Sequence, residues 1–280
     1  MRIAVIPNNR SAHAAALFRP VCEHLEKAGA EVTVIARDGG LPELGEIAAR
    51  LTDYDAAIAL GGDGTIMHVA KAAAKAGCPV LGINGGHLGF LAGLEQDELD
   101  ALDGLLDGTY REESRALLRI TVNDARGEHS FLAMNEAVVS RGALSRLVDL
   151  RIAGNGQEIL SCCGDGAIIA TPTGSTAYSL SAGGPVVDPS VACILLTPVC
   201  PHTLDSRTRI LPSDSMLTVT LSAADDGEAF ITVDGEEYTS FTAEDSVTIR
   251  QADETARLIR LKPTTFYDAL SEKLTVRRTV

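Results

Sequence analysis

The sequence predicts a parallel α/β domain that is followed by an all-β domain. In the first hundred residues, short apolar runs alternate with segments whose apolar residues recur at helical spacing. That alternation is typical of βαβ units in a mostly parallel sheet. After Tyr110 the pattern changes to alternating and β-branched runs separated by short turns. With 280 residues, the chain is long enough for two ordinary domains.

The elements of the first part follow from the spacing of apolar residues. Strands are predicted where short runs are apolar or β-branched, at residues 2–6, 31–36, 54–60 and 79–83. Helices are predicted at residues 11–28, 43–51, 66–76 and 96–106. The first helix is followed by Gly29, a residue type that favours helix C-termini.

The elements of the second part are predicted to be strands. They lie at residues 116–122, 130–140, 147–152, 167–171, 216–221, 230–233, 246–250 and 256–261. Turn sequences such as Gly154-Asn155-Gly156 separate them. Residues 264–274 carry apolar side chains at i, i+4 and i+8, which predicts a closing amphipathic helix.

The charge and hydropathy of the chain exclude several classes of protein. Its 24 Lys and Arg against 38 Asp and Glu give a net charge of −14, which argues against binding of nucleic acid or anionic membranes. The longest apolar stretches, such as residues 191–196, are far shorter than the ~20 residues of a membrane-spanning helix. Because the apolar N-terminus is too short for a signal peptide, we expect a cytoplasmic protein. The six cysteines lack a C-x-x-C spacing and fit reduced thiols there.

A glycine-rich turn is the first candidate for chemistry. Gly61-Gly62-Asp63-Gly64-Thr65, here called the phosphate turn, lies between a predicted strand and a predicted helix, where open α/β sheets bind ligands. Its glycines let backbone N–H groups approach phosphate oxygens, and the helix N-terminus adds partial positive charge. Asp63 is unusual there, because a carboxylate repels phosphate unless it binds a metal ion or takes a proton. A tight turn with Asp63 as a helix cap is the alternative.

Two further segments offer polar groups. Residues 84–90 form a second glycine-rich loop after the next predicted strand, and His87 within it is either a phosphate contact or a solvated loop residue. Asn135 and Glu136 interrupt a β-like stretch and offer donors and acceptors that suit sugar hydroxyls and base edges. A half-exposed strand position explains that pair equally well.

Residues 171–185 form the densest polar segment of the chain. Seven hydroxyl groups lie between Thr171 and Ser181, and Tyr178 adds a flat apolar face with a polar tip. Apolar runs flank the segment, so its hydroxyls must bond within the protein or face a ligand. We favour the ligand; a loop that caps a helix is the alternative.

Taken in order, these segments resemble the NAD kinases. The resemblance includes the phosphate turn, residues 84–91, Asn135-Glu136, Gly164-Asp165-Gly166 and residues 171–185, and it extends to residues 263–270. The phosphate turn alone is shared with diacylglycerol, sphingosine and 6-phosphofructo-kinases, whereas the segment that begins at Thr171 is specific. The resemblance implies transfer of the γ-phosphate of ATP, or of a phosphate of polyphosphate, to the 2′-hydroxyl of the adenosine ribose of NAD. A kinase of a lipid or sugar hydroxyl is the alternative hypothesis, and a non-catalytic NAD sensor is the third.

The resemblance also implies roles for individual residues. Asp63 is implied to be the general base, and Gly61, Gly62, Gly64 and Thr65 to hold the donor phosphates. The residues implied to bind NAD are Asp63, Gly64, Asn135, Glu136, Arg146, Cys163, Asp165, Thr173, Thr176, Ala177, Tyr178, Ser179, Leu180 and Ser181. Mg²⁺ is expected to arrive with the donor phosphates rather than on a protein metal site.

The sequence pattern and the resemblance together set the expected domains. We expect a Rossmann-like, phosphate-donor-binding α/β domain over residues 1–110 and a β-sandwich-like, NAD-binding domain over residues 111–262. Residues 263–280 are expected to form a helical tail that returns to the first domain. A homodimer or homotetramer is implied as well.

Overall fold

The structure, a computed structural model, describes residues 1–85, 89–141, 147–202, 207–222 and 227–276. His87 and Arg146, two of the predicted site residues, lie outside these ranges. The chain divides into a first unit, Met1–Arg115 with Glu254–Val280, and a second unit, Ala116–Asp253. Residues 111–115 and 254–262, which we expected in the second domain, are part of the first compact unit. No described helix combines the length and the hydropathy that crossing a membrane requires.

Strands outnumber helices along the described chain. The strands are β1 (Arg2–Pro7), β2 (Glu31–Val34), β3 (Ala56–Leu60), β4 (Val80–Asn84), β5 (Leu94–Glu95), β6 (Arg111–Asp124), β7 (Gly127–Ala133), β8 (Glu136–Arg141), β9 (Val148–Gly154), β10 (Gln157–Gly164), β11 (Gly166–Ala170), β12 (Cys193–Val199), β13 (Arg209–Pro212), β14 (Leu217–Leu221), β15 (Ala229–Val233), β16 (Glu237–Phe241) and β17 (Ser246–Arg260). The α-helices are α1 (Ala12–Lys27), α2 (Leu44–Leu51), α3 (Asp63–Ala76), α4 (Asp103–Leu106), α5 (Tyr178–Ser181) and α6 (Phe266–Val276).

The first unit is built on a parallel sheet with the order β2-β1-β3-β4. Strands β1, β3 and β4 have almost wholly buried residues, as their continuous apolar runs predict. Helix α1 packs its apolar stripe, which includes Leu17, Val21 and Leu25, into the same core as the strands. Strand order reverses between β1 and β3, so their carboxyl ends flank the position where such sheets bind ligands. The predicted parallel α/β fold is confirmed.

The second unit consists of antiparallel strands. One sheet has the order β13-β12-β11-β8-β15-β16. Strands β10, β9, β14 and the start of β17 pair in a second sheet. Residues from both sheets, for example Val139 and Ile152, bury their side chains in one common core. This arrangement confirms the predicted all-β domain and its sandwich character.

Four details of the predicted elements were wrong. Residues 96–106 form a short 3₁₀ turn (Leu99–Leu102) and the single turn α4, because Gly104 weakens a longer helix. Residues 130–140 are two strands that break before Glu136, and residues 246–261 are one strand rather than two. Strands β5, β10, β12, β13 and β16 were not predicted.

Arg260, the last residue of β17, fixes a loop of the first unit. Its guanidinium donates to the carbonyl oxygens of Phe90, Leu91 and Ala92 and to Glu113 Oε2. Its side chain is 10% exposed. Burial alone would raise the pKa of Glu113, but Arg260 and Arg115 lower that pKa to about 2. The Arg260 guanidinium therefore serves both the Glu113 carboxylate and the three carbonyl groups of the loop.

We predict that Arg260→Met lowers the free energy of unfolding by about 2–4 kcal/mol, since it leaves three carbonyl groups without their donor. Glu113 loses one of its guanidinium partners and keeps Arg111 and Arg115. Arg257→Met is the matched control on the same strand. Arg257 is more exposed and pairs with Glu112, so its loss is expected to cost less than about 1 kcal/mol. Urea denaturation measures both variants; equal losses would contradict the assignment.

Candidate active site

The phosphate turn connects buried β3 to α3. Gly61 has φ +152°, and a Cβ there would lie 2.6 Å from Thr65 Oγ1, so the turn requires glycine at this position. Gly62 and Gly64 are exposed, and a Cβ at either would meet nothing within 4 Å. The N-terminal turn of α3 is therefore open to an anion.

The Thr65 side chain connects the ends of two strands. Its hydroxyl oxygen accepts a hydrogen bond of 2.9 Å from Asn8 Nδ2, and Asn8 directly follows β1. Thr65 is buried beneath the turn. Its hydroxyl thus fixes the turn between the carboxyl ends of β1 and β3.

The Asp63 carboxylate is held by groups that are distant in the sequence. Oδ2 accepts the N–H of Phe90 at 2.9 Å and the ammonium group of Lys273 at 3.2 Å, while Oδ1 accepts the N–H of Leu91 at 3.2 Å. A Cβ at Gly89 would lie 1.9 Å from Oδ1, so only glycine leaves room for this orientation. These groups, Asp63, Gly89, Phe90, Leu91 and Lys273, are called the carboxylate cradle below.

This geometry decides between the two interpretations of Asp63. Gly62 occupies the N-cap position of α3, and Asp63 is the first residue of the helix rather than its cap. The carboxylate bonds the loop at residues 90–91 instead. Its charge is compensated by Lys273, which the sequence interpretation did not consider. The alternative in which Asp63 caps its helix is therefore wrong.

In the second unit, Asp234 fixes the Asn135-Glu136 pair. Asp234 lies after β15 with φ +50°, and its carboxylate accepts the backbone N–H groups of Met134, Asn135 and Glu136 at 2.8–3.1 Å. These bonds hold the residues between β7, which pairs with β6, and β8, which pairs with β11 and β15. The break in the predicted strand at this point thus serves to present Asn135 and Glu136 together.

Glu136 is a buried acid with an open hydrogen-bonding position. The residue is 7% exposed, and its Oε2 has no hydrogen-bond partner among the described residues. Burial and the charge of Asp234 raise the pKa of Glu136 to about 7, while the backbone N–H of Tyr178 opposes the rise. Near neutral pH this carboxyl group can therefore donate or accept a hydrogen bond.

Part of the polar segment at residues 171–185 bonds within the protein. The Thr171 hydroxyl donates to the Met134 carbonyl, Ser175 Oγ exchanges two bonds with Val187, and Ser179 Oγ meets Thr197 Oγ1 at 3.0 Å. Ser179 is fully buried. The expectation that these hydroxyls face a ligand is thus wrong for Thr171, Ser175 and Ser179, because internal bonds already occupy them.

The rest of the segment is accessible only in part, because Thr173 and Gly174 are buried and the Thr176 hydroxyl donates to the Thr173 carbonyl oxygen at 3.3 Å. Residues Thr173–Thr176 form a 3₁₀ turn, and Tyr178 begins α5 with 45% of its surface exposed. A Cβ at Gly174 would lie 2.1 Å from the Asn135 carbonyl oxygen, so the segment approaches the Asn135-Glu136 pair through its backbone. Ala177, Leu180 and Ser181 are partly or fully exposed on the same turns.

Asp165 lies in a tight bend between β10 and β11. Arg141 Nε lies 3.2 Å from Asp165 Oδ1 and supplies a positive charge there. A Cβ at Gly166 would lie 2.1 Å from the Val139 carbonyl oxygen, which explains the glycine after Asp165. The Cys163 carbonyl accepts the N–H of His202 at 2.8 Å.

Sequence reasoning missed Lys273, Asp234 as a backbone acceptor, and Arg260. It placed Gly89 in the second glycine-rich loop without giving that residue a role of its own. The available signal for Lys273 was its spacing of seven residues from Phe266, which places both on one face of the closing helix. In the described part of the chain, no three or more His, Cys, Asp or Glu residues gather where they could hold a metal ion.

We predict that Glu136→Gln changes how stability depends on pH. Between pH 4.5 and 7 the folded protein retains a proton on Glu136 that the unfolded chain has lost. The contribution of Glu136 to the free energy of unfolding of the wild type therefore falls as pH rises. Relative to wild type, the variant should gain up to about 3 kcal/mol from pH 4 to pH 8. Urea denaturation across this range measures it, with Glu158→Gln at an exposed position of β10 as control. A constant difference between wild type and Glu136→Gln would contradict the assignment.

Comparisons with known proteins agree with this geometry. Residues 46–114 match the model of the ATP-NAD kinase N-terminal domain, and residues 134–261 match that of the C-terminal domain. The NAD kinase of Symbiobacterium thermophilum is 40% identical over 279 residues, 98% of each chain. That of Moorella thermoacetica is 39% identical over 277 residues, 98% of this chain and 89% of the relative.

Solved structures have the same fold. The crystal structure of an NAD kinase from Archaeoglobus fulgidus in complex with ATP superposes with a TM-score of 0.76 at 25% identity, covering 98% of this chain and 99% of that one. Yeast NADH kinase complexed with NADH gives 0.86 at 23% identity, covering 100% and 89%, which supports the fold alone. On these matches, and as the order of its motifs predicts, the chain belongs to the NAD kinase family.

Proposed function

We propose that this chain transfers the γ-phosphate of ATP, or a phosphate of polyphosphate, to the 2′-hydroxyl of the adenosine ribose of NAD and so produces NADP. Membership in the NAD kinase family supports the reaction. The observation that carries the proposal is the Asp63 carboxylate, which two backbone N–H groups and one ammonium group hold at the start of α3.

On the donor side, we assign the phosphates to Gly61, Gly62, Gly64 and Thr65. The exposed glycines leave the backbone accessible, and the helix N-terminus favours anions. Mg²⁺ would arrive with the phosphates and offset their charge. The oxygen-rich donor chemistry suits it, since Mg²⁺ is usually held by phosphates and few carboxylates.

On the acceptor side, Asp63 is the proposed general base. A sugar hydroxyl has a high pKa, so a fixed carboxylate contributes by orienting it in line with the γ-phosphorus and by accepting its proton as the new P–O bond forms. The bonds from Phe90 and Leu91 keep one carboxylate orientation, which reduces the cost of ordering it at the moment of transfer.

NAD is assigned to the polar groups of the second unit. The Oε2 of Glu136, which has no hydrogen-bond partner in the described ranges, and the 45% exposed Tyr178 are the strongest support. The other proposed NAD contacts of the second unit are Asn135, Cys163, Asp165, Thr173, Thr176, Ala177, Leu180 and Ser181. In the first unit, Asp63 and Gly64 are proposed NAD contacts as well. Ser179 is left out because it is fully buried and its hydroxyl bonds Thr197.

The comparisons give no support to a lipid or sugar kinase. We also propose that the chain works in the cytoplasm and, from the family resemblance, that it forms a homodimer or homotetramer.

We predict that Asp63→Asn lowers kcat for NADP formation at least ~10²-fold, because the amide cannot accept the hydroxyl proton, while affinity for NAD stays within about threefold. Purified protein is given NAD, ATP and Mg²⁺, and NADP is read with an NADP-specific dehydrogenase. Asp103→Asn is the matched control, since Asp103 is an exposed residue of the first unit that bonds His24.

Equal turnover in wild type and Asp63→Asn would remove Asp63 from the mechanism. No NADP with either ATP or polyphosphate would overturn the proposed reaction. Saturable phosphorylation of diacylglycerol or a sugar would then favour the alternative hypothesis.

A further inference from the structure

We propose that Lys273, on the closing helix, is a positioning residue for the Asp63 carboxylate. The inference rests on the proposed function, in which Asp63 accepts the proton of the acceptor hydroxyl. It assigns a role in the reaction to the C-terminal helix, which the sequence analysis treated only as a closing element.

Lys273 is the charged member of the carboxylate cradle that pairs with Asp63. Lys273 Nζ donates to Asp63 Oδ2 at 3.2 Å, beside the N–H of Phe90 on the same oxygen. Asp63 and Lys273 are each about one-third exposed, with side-chain accessibilities of 33% and 32%. The pair is therefore partly sheltered from water, yet Asp63 can still be reached by a substrate.

Two aromatic rings hold the Lys273 ammonium group near Asp63. The Lys273 ammonium lies 4.0 Å from the centroid of the Phe90 ring, and that ring packs against Phe266 at 6.0 Å. Phe266 and Lys273 are seven residues apart on α6 and so share a face. Phe90 thus contacts Asp63 through its backbone and Lys273 through its ring, which couples the helix to the carboxylate.

The start of α6 is fixed as well. Thr265 donates its N–H and its hydroxyl to Asp268 Oδ2, and the N–H of Asp268 donates back to the Thr265 hydroxyl at 3.3 Å. This reciprocal pattern is a capping box. Arg111 Nη2 also donates to the Thr264 carbonyl at 2.7 Å. The helix therefore begins at a defined point, and the position of Lys273 follows from it.

The negative charge of Asp63 is compensated by Lys273. A carboxylate in a phosphate-binding turn repels the incoming phosphates, and this repulsion favours rotation of the carboxylate away from the donor. The Lys273 ammonium compensates that charge while the amides of residues 90 and 91 fix the oxygens. Loss of the ammonium should misplace the base and hence lower the rate of transfer more than the binding of either substrate.

The test is steady-state kinetics of NADP formation in Lys273→Ala and Lys273→Arg. We expect Lys273→Ala to lower kcat about 10- to 100-fold with both KM values within about threefold of wild type. Ethylamine should restore kcat of Lys273→Ala saturably, and Lys273→Arg should recover most of the loss. A role confined to folding would not respond to ethylamine.

Lys262→Ala is the matched control. Lys262 is as exposed as Lys273 and pairs with Glu98. Its kcat should stay within about twofold of wild type and should not respond to ethylamine. The inference is overturned if Lys273→Ala retains wild-type kcat, or if its loss is reversed neither by ethylamine nor by arginine. Wild-type protein that makes no NADP would instead overturn the proposed function, and this inference with it.

Discussion

A carboxylate at the start of α3 needs hydrogen bonds on both oxygens to keep one orientation, and α3 itself does not supply them. They come from the N–H groups of Phe90 and Leu91 and from Lys273. The loop that carries those N–H groups is held from its other side, because Arg260 binds its carbonyl oxygens. The orientation of Asp63 therefore depends on the loop after β4, the end of β17 and the closing helix together. Gly89 completes the arrangement by leaving space for Oδ1.

The second unit uses a related solution for a different purpose. The Asp234 carboxylate accepts hydrogen bonds from three backbone N–H groups at the break between β7 and β8. These bonds present Asn135 and Glu136. Burial and, as the second cause, the charge of Asp234 raise the pKa of Glu136 to about 7. One acid is thus fixed as a structural acceptor, and its neighbour is left with an open hydrogen-bonding position. In both units a carboxylate bonded to backbone amides determines what the neighbouring residues can do.

The sequence predicted those features that local patterns encode. Apolar runs gave β1, β3 and β4, helical spacing gave α1 and α3, and the glycines located the phosphate turn. Contacts between distant residues have no local pattern, so Lys273 and Arg260 were not found. The sequence also does not show which hydroxyl groups bond within the protein. Ser179 was expected to contact a ligand, but its hydroxyl bonds that of Thr197, 18 residues away. Strand β10 alternates exposed polar and buried residues irregularly and was missed for that reason.

The central claim is that the orientation of the Asp63 carboxylate controls phosphate transfer. Gly89→Ala tests it directly, since the variant keeps every cradle side chain but places a methyl group where Oδ1 lies. Gly45→Ala, in α2 with open space around its Cβ position, is the control. Single-turnover formation of NADP at saturating NAD and ATP should be at least ~10²-fold slower in Gly89→Ala, with bound NAD unchanged. A wild-type rate in Gly89→Ala would contradict the account.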